Sequence, residues 1–166
     1  MPDRSTRARD ADEPDLPVAI AMAFDYGERR IGVAVGQMIT GTATPLATVE
    51  RRAGALDWTA LAALVQTWRP DALVVGRPSG DYWGAQEIRA AIITFTTELK
   101  ARFARPIYVV DEAYSSVEAY ARLKVGRRAR ANNKRIDKGE IDRMSAAILL
   151  EAWMSGMRGT LGQRSK

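Results

Sequence analysis

The sequence predicts a single α/β domain in which a mixed five-stranded sheet, an antiparallel meander followed by parallel strands, is flanked by helices. Three observations predict it. Two apolar runs, VAIAMAFDY from Val18 and RIGVAVG from Arg30, are so close together that an antiparallel hairpin is their natural connection. Helical and strand-like segments then alternate, which favours parallel strands with right-handed crossovers. Finally, 166 residues, 46% of them hydrophobic, suffice for one core and fall short of two ordinary domains.

Residues 1–17 are polar, mixed in charge and bracketed by prolines, so they are expected to form a disordered tail. The domain proper is expected over 18–156, with a flexible C-terminal tail over 157–166. A third strand near Ala43 to Val49 completes the meander. Residues 55–68 repeat apolar side chains at helical spacing and stop just before Pro70. DALVVG is a short buried strand, Ala85 to Phe103 a long helix with Ile88, Ile92, Phe95 and Leu99 on one face, and PIYVVDE another strand. Ser115 or Ser116 caps a further helix. KVGRRARANNKRIDKG lacks apolar periodicity and is read as a mobile loop before a last helix from about Gly139 to Met154.

Composition narrows the chemistry. The chain has neither cysteine nor histidine, which removes disulfides, thiolate ligands and imidazole bases. Catalysis then rests on carboxylates, lysines or hydroxyls. The N-terminus lacks the apolar middle of a signal peptide and no stretch approaches the roughly 20 apolar residues of a membrane span, so a cytoplasmic protein without membrane contact is expected. The net charge of +5 favours polyanionic partners. Basicity is concentrated late, in Arg122, Lys124, Arg127, Arg128, Arg130, Lys134 and Arg135, each able to neutralise a backbone phosphate. Lys134 and Arg135 lie nearest Asp142 in sequence. Tyr82 and Trp83, beside glycines, could stack an unpaired base or simply cover a helix start.

Three acids, Asp25, Glu112 and Asp142, stand at the ends of apolar elements. Asp25 closes the first strand before Tyr26-Gly27, where it is also a suitable turn residue. Asp111 and Glu112 close the strand PIYVV with side chains on opposite faces, so only one of them can share a cavity with Asp25; helix capping is the alternative role. Asp142 begins a stripe continued by Ala146, Leu149 and Trp153, unless it merely complements a helix dipole. Gathered together, three carboxylates would repel one another unless a cation neutralised them, and hard oxygen ligands suit Mg²⁺ or Mn²⁺. Such ions support phosphodiester cleavage without histidine or cysteine.

Four segments carry a resemblance. AFDYGERRIGVAVG, DALVVGRPSG, VVDEAYSSVEA and IDRMSAAILLEAW resemble, in order, the motifs of the YqgF/RuvX family, over roughly residues 19–154. The resemblance implies an RNase H-like fold and an acidic, catalytic and metal-binding site at Asp25, Glu112 and Asp142. Members are described as Holliday-junction resolvase-like proteins and as nucleases that mature the 5′ end of pre-16S ribosomal RNA. Nucleic acid, either pre-rRNA or branched DNA, is the implied partner, bound by Arg127, Arg128, Arg130, Lys134 and Arg135. A homodimer is required for two symmetric cuts in a junction and not for trimming one RNA end. A non-catalytic nucleic-acid or transcription-complex module and an actin-like phosphotransferase are the competing readings, the latter needing about twice the length. The chain departs from the family pattern at Arg77 and Ala113 and in SGDYWG, which bears on specificity rather than fold.

Overall fold

In the computed structural model, residues 17–78, 85–112, 115–129 and 135–163 are described. Strand β1 (Ile20–Tyr26) lies inside the sheet because both of its edges are paired and both of its faces are covered. It runs antiparallel to β2 (Arg30–Gln37) and parallel to β5 (Ala72–Pro78). Strand β3 (Thr42–Arg52) extends the antiparallel side, and β6 (Ile107–Glu112) adds in parallel beyond β5. The expected meander followed by parallel strands is therefore present, with one addition. Ala55–Leu56 form a sixth, two-residue strand, β4, so the order is β4-β3-β2-β1-β5-β6.

That addition has a local cause. Ala53 and Gly54 both adopt positive φ, 50° and 77°, the backbone of a tight two-residue hairpin that folds Ala55 and Leu56 back onto Arg52 and Arg51. Helix α1 (Trp58–Trp68) consequently starts later than periodicity alone suggests, where the Asp57 carboxylate accepts from the Ala60 amide at 3.0 Å. It ends at Arg69 in the left-handed region, before Pro70.

The two faces of the sheet are built from different residue sizes. Met22, Phe24, Ile31, Val33, Leu73 and Val75 form a bulky face, buried against Leu61 and Val65 of α1 and against Ile92, Phe95 and Leu99 of α2 (Ala85–Phe103). The alternate positions carry small residues, among them Ala21, Ala23, Gly32, Ala34, Gly36, Ala72 and Gly76. On this face lies α4 (Lys138–Gln163), which sits close to the strands through Ala146, Ala147, Leu149, Leu150, Trp153 and Met154. The helix continues past Met154, through most of the stretch expected as a C-terminal tail.

Helix α3 (Ser115–Ala129) packs on α4 and also exceeds expectation. Lys124 to Ala129, expected in a loop, are helical. Apolar periodicity missed them because Ala119 is the one buried residue among the described side chains of α3, while arginine, lysine and alanine are good helix formers. Residues 1–16, which include most of the expected N-terminal tail, lie outside the described residues.

Candidate acidic site

The acidic site is built around a close approach of helix to strand. In β2, Gly32 is the register partner of Asp25, and directly opposed residues of an antiparallel pair share a face. A Cβ on Gly32 would overlap the main-chain carbonyl of Asp142 and lie 2.8 Å from the Arg143 amide nitrogen. Only glycine admits this approach. It sets the backbone of Asp142 over the row that contains Asp25. On the other side of β1, the partner of Asp25 is Gly76, where a Cβ would lie 2.7 Å from Leu149 of the same helix. Asp25 thus occupies the α4 face, level with both contacts.

The N-terminus of α4 is fixed independently of Asp142. The Asp137 amide donates to Glu140 at 3.0 Å and the Glu140 amide to Asp137 at 2.8 Å, a reciprocal capping box. Thr48 Oγ1 of β3 donates to the Gly139 carbonyl at 2.6 Å. The first-turn acid is Glu140, so the dipole role open to Asp142 in the sequence falls elsewhere. Asp142 instead accepts from Arg30 Nε at 2.7 Å, in a pair about one-quarter exposed on each side. Sequence reasoning missed Arg30.

In β6, Asp111 and Glu112 separate as strand alternation requires. Tyr108 and Val110 belong to the core under α4, whereas Ile107 packs in the opposite core. Asp111 has the parity of Ile107 and is held away from α4 by Arg77, through Nη2 at 2.8 Å and Nε at 2.9 Å. The family departure at Arg77 therefore has a structural role as the partner of Asp111. Glu112 ends the strand two positions beyond Val110, with the same parity, paired with Pro78. Its side chain lies outside the described residues. Among the described residues no group of three acids is close enough to hold a metal.

One observation bears on whether the region suits a cation. Ser145 of α4 is fully buried, and its hydroxyl is the one buried side-chain polar atom without a partner among the described residues. On the stripe Ser145, Leu149, Trp153, the last packs on Tyr108 and Leu149 covers Gly76, paired with Val110. Along α4, Ser145 lies between Asp142, which overlies Gly32, and Leu149, which covers Gly76, and both glycines are register partners of Asp25. An orphan hydroxyl beside the acid-bearing strand ends fits a place completed by a hydrated ion. Ser145→Ala should therefore raise metal-free stability by about 1 kcal/mol, or roughly 2–4 °C in thermal melting, by removing an unsatisfied buried group. A lowered melting temperature would contradict this.

The basic residues divide. Arg122 is committed within the fold, to Glu151 of α4 at 2.9 Å and to Glu118 at 2.9 Å, and its pKa is raised above the ordinary value chiefly by the Glu151 hydrogen bond. The residue expected as a phosphate contact is thus engaged by two carboxylates of α3 and α4. Lys124 is exposed on α3 and Arg135 is exposed ahead of α4. Arg127 and Arg128 lie in the last turn of α3, with side chains outside the described residues. Tyr82, Trp83, Ala113, Arg130 and Lys134 lie outside them altogether.

The six-stranded mixed sheet with its four helices has the RuvC-like RNase H fold. The T. thermophilus RuvC structure in complex with a Holliday junction substrate superposes with a TM-score of 0.54 at 14% identity, over 85% of this chain and 96% of that one. The fowlpox virus Holliday junction resolvase gives 0.50 at 15% identity, over 83% and 99%. Residues 19–156 match the family model described as "RuvX: Holliday junction resolvase", and the chain belongs to the RuvX family. Its relatives include proteins named "Putative pre-16S rRNA nuclease" from Aeromonas salmonicida, 40% identical over 83% of this chain and 96% of that protein, and from Legionella pneumophila, 37% identical over 84% and 97%. No helix among the described residues is long and apolar enough to cross a membrane.

Proposed function

We propose that this RuvX-family chain is a cytoplasmic, metal-dependent phosphodiesterase that processes the 5′ end of pre-16S ribosomal RNA, with Mg²⁺ or Mn²⁺ held by Asp25, Glu112 and Asp142. The observation that carries the reading is the seat of α4 on Gly32, which brings Asp142 to the row of Asp25. The parity of position 112 and the orphan Ser145 hydroxyl support it. The names of relatives at 37–40% identity supply the substrate class.

A divalent ion held by Asp25, Glu112 and Asp142 would supply water activation and charge neutralisation at the scissile phosphate. The chain supplies the rest. Asp25 and Glu112 come from ends of the parallel strands, and Asp142 is oriented from the side by Arg30. Arg127, Arg128, Arg130, Lys134 and Arg135 contribute affinity for flanking phosphates rather than chemistry.

The test is incubation with a 5′-extended 16S precursor fragment and with a four-way DNA junction, in Mg²⁺ or Mn²⁺ and with chelator. Shortening of the precursor at its 5′ side, stopped by chelator, is expected. Cutting of the junction alone would assign the chain to resolvase chemistry, the reading that the family description favours. Binding without cleavage of either would make it a non-catalytic module.

Within the acidic pair, Glu112→Gln should lower cleavage by about 10²-fold or more. Asp111→Asn should leave the rate within about twofold and cost less than about 1 kcal/mol, because its exposed pair with Arg77 is a surface interaction. Rate measurements on the two variants decide the assignment, and the reverse pattern would transfer it to Asp111.

A further inference from the structure

The chain contains the triplet Glu-Arg-Arg twice, at 28–30 and at 50–52, and the fold lays the two side by side. Arg30 is the register partner of Glu50, and the Arg51 amide donates to the Arg29 carbonyl at 3.0 Å. Pairing therefore continues one residue past the strand, with Arg29 directly opposite Arg51. Like charges facing one another across a strand pair are destabilising unless something answers them. Among the described residues neither arginine forms an ion pair, although Glu28 and Glu50 line the same crevice.

Arg51 is nonetheless held in place. Its Nη2 donates to the Tyr26 hydroxyl at 2.7 Å, and its guanidinium carbon lies 5.3 Å from the centre of the Tyr26 ring. A phenol orients the group without neutralising it. Arg29 is exposed at the turn. Between the two turns lies a crevice of about 360 Å³ lined by Glu28, Arg29, Arg30, Glu50, Arg51 and Gly54. Arg30 lines the crevice and pairs with Asp142 on the α4 face, whereas Arg51, lying on Tyr26, and Arg29 opposite it have the parity of Val49 and Ile31 on the other face, so the crevice spans the end of the sheet from one face to the other.

We infer that Arg29 and Arg51 form a phosphate subsite, holding the sugar-phosphate backbone of a nucleic-acid strand that leaves the acidic site past Arg30 and crosses the end of the sheet to its other face. The inference rests on the nuclease reading and deepens it: the substrate path runs over the β1–β2 and β3–β4 turns as well as along the basic stretch near α3. Two arginines at directly opposed positions suit one phosphate, whose charge answers the pair that the fold leaves without an ion pair.

The test is fluorescence anisotropy with labelled 12-nucleotide single strands of RNA and of DNA, identical in sequence, in chelator so that no cleavage intervenes. Arg29→Ala with Arg51→Ala should weaken binding by about five- to tenfold at low salt and flatten the slope of log K against log salt by about 0.7, the share of one phosphate on a single strand. Because Arg51 packs on Tyr26, the exposed Arg29→Glu is measured as well and should weaken binding without lowering the melting temperature. Weakening for both strands supports a backbone subsite, and weakening for RNA alone supports one occupied by RNA. Unchanged affinity and slope in both variants would overturn the subsite while leaving the nuclease reading intact. A wild-type protein that binds neither strand would overturn both.

Discussion

Asp142→Asn is expected to abolish cleavage, by on the order of 10³-fold or more, while the chain keeps its fold. The substitution retains shape and can still accept from Arg30 Nε, so the contact now 2.7 Å long survives as a weaker hydrogen bond. What is lost is the negative charge that a hard cation requires. The capping box of Asp137 and Glu140 and the Thr48 contact to Gly139 hold the N-terminus of α4 without Asp142. Circular dichroism should therefore be unchanged, and the rise in melting temperature that Mg²⁺ or Mn²⁺ gives the wild type, through binding to the native state alone, should vanish. Cleavage at the wild-type rate by this variant would remove Asp142 from the chemistry.

The second large effect is expected from one methyl group. Gly32→Ala places a Cβ against the main chain of Asp142 and Arg143, and backbone cannot escape by changing rotamer. The helix must lift or the strand must bend, at a cost of about 3 kcal/mol, or roughly 6–12 °C in melting temperature. Because the lifted residue is Asp142 itself, a displacement of about 1 Å should also lower cleavage by about 10²-fold. Gly126→Ala is the control. It lies in α3 with open space around its Cβ position, and alanine there should be neutral or stabilising by up to about 1 kcal/mol. Equal melting temperatures for the Gly32 variant and the wild type would show that α4 is not seated as described.

Much of the architecture was legible because its signals are local. The runs around Met22, Leu73 and Val109 are strands by apolar content, and α2 spans Ala85–Phe103, the limits its Ile92, Phe95 and Leu99 stripe predicts. Errors arose where a partner decides the outcome. The strand at Ala55–Leu56 depends on two positive-φ residues, and Ala53 carries no sequence mark of that conformation. Arg122 reads as a free cation until Glu151, 29 residues away, is placed beside it. The alternation of small and large residues in β1 and β2 was visible, yet its meaning, a helix seated on one face, needs the sheet order. Arg30 and Asp142 are 112 positions apart and no local pattern connects them. The repeated Glu-Arg-Arg was equally visible and acquires significance only when β2 and β3 pair.

The central claim, that Asp25, Glu112 and Asp142 form one metal site, is tested most directly by calorimetric titration of Mn²⁺ into the full-length protein and four variants, Asp25→Asn, Glu112→Gln, Asp142→Asn and Asp111→Asn. Saturable binding to the wild type and to the Asp111 variant, with affinity reduced by about tenfold or more in each of the other three, is the predicted result. Binding that persists in the Asp25 and Asp142 variants, or that is lost on replacing Asp111 and kept on replacing Glu112, would contradict it.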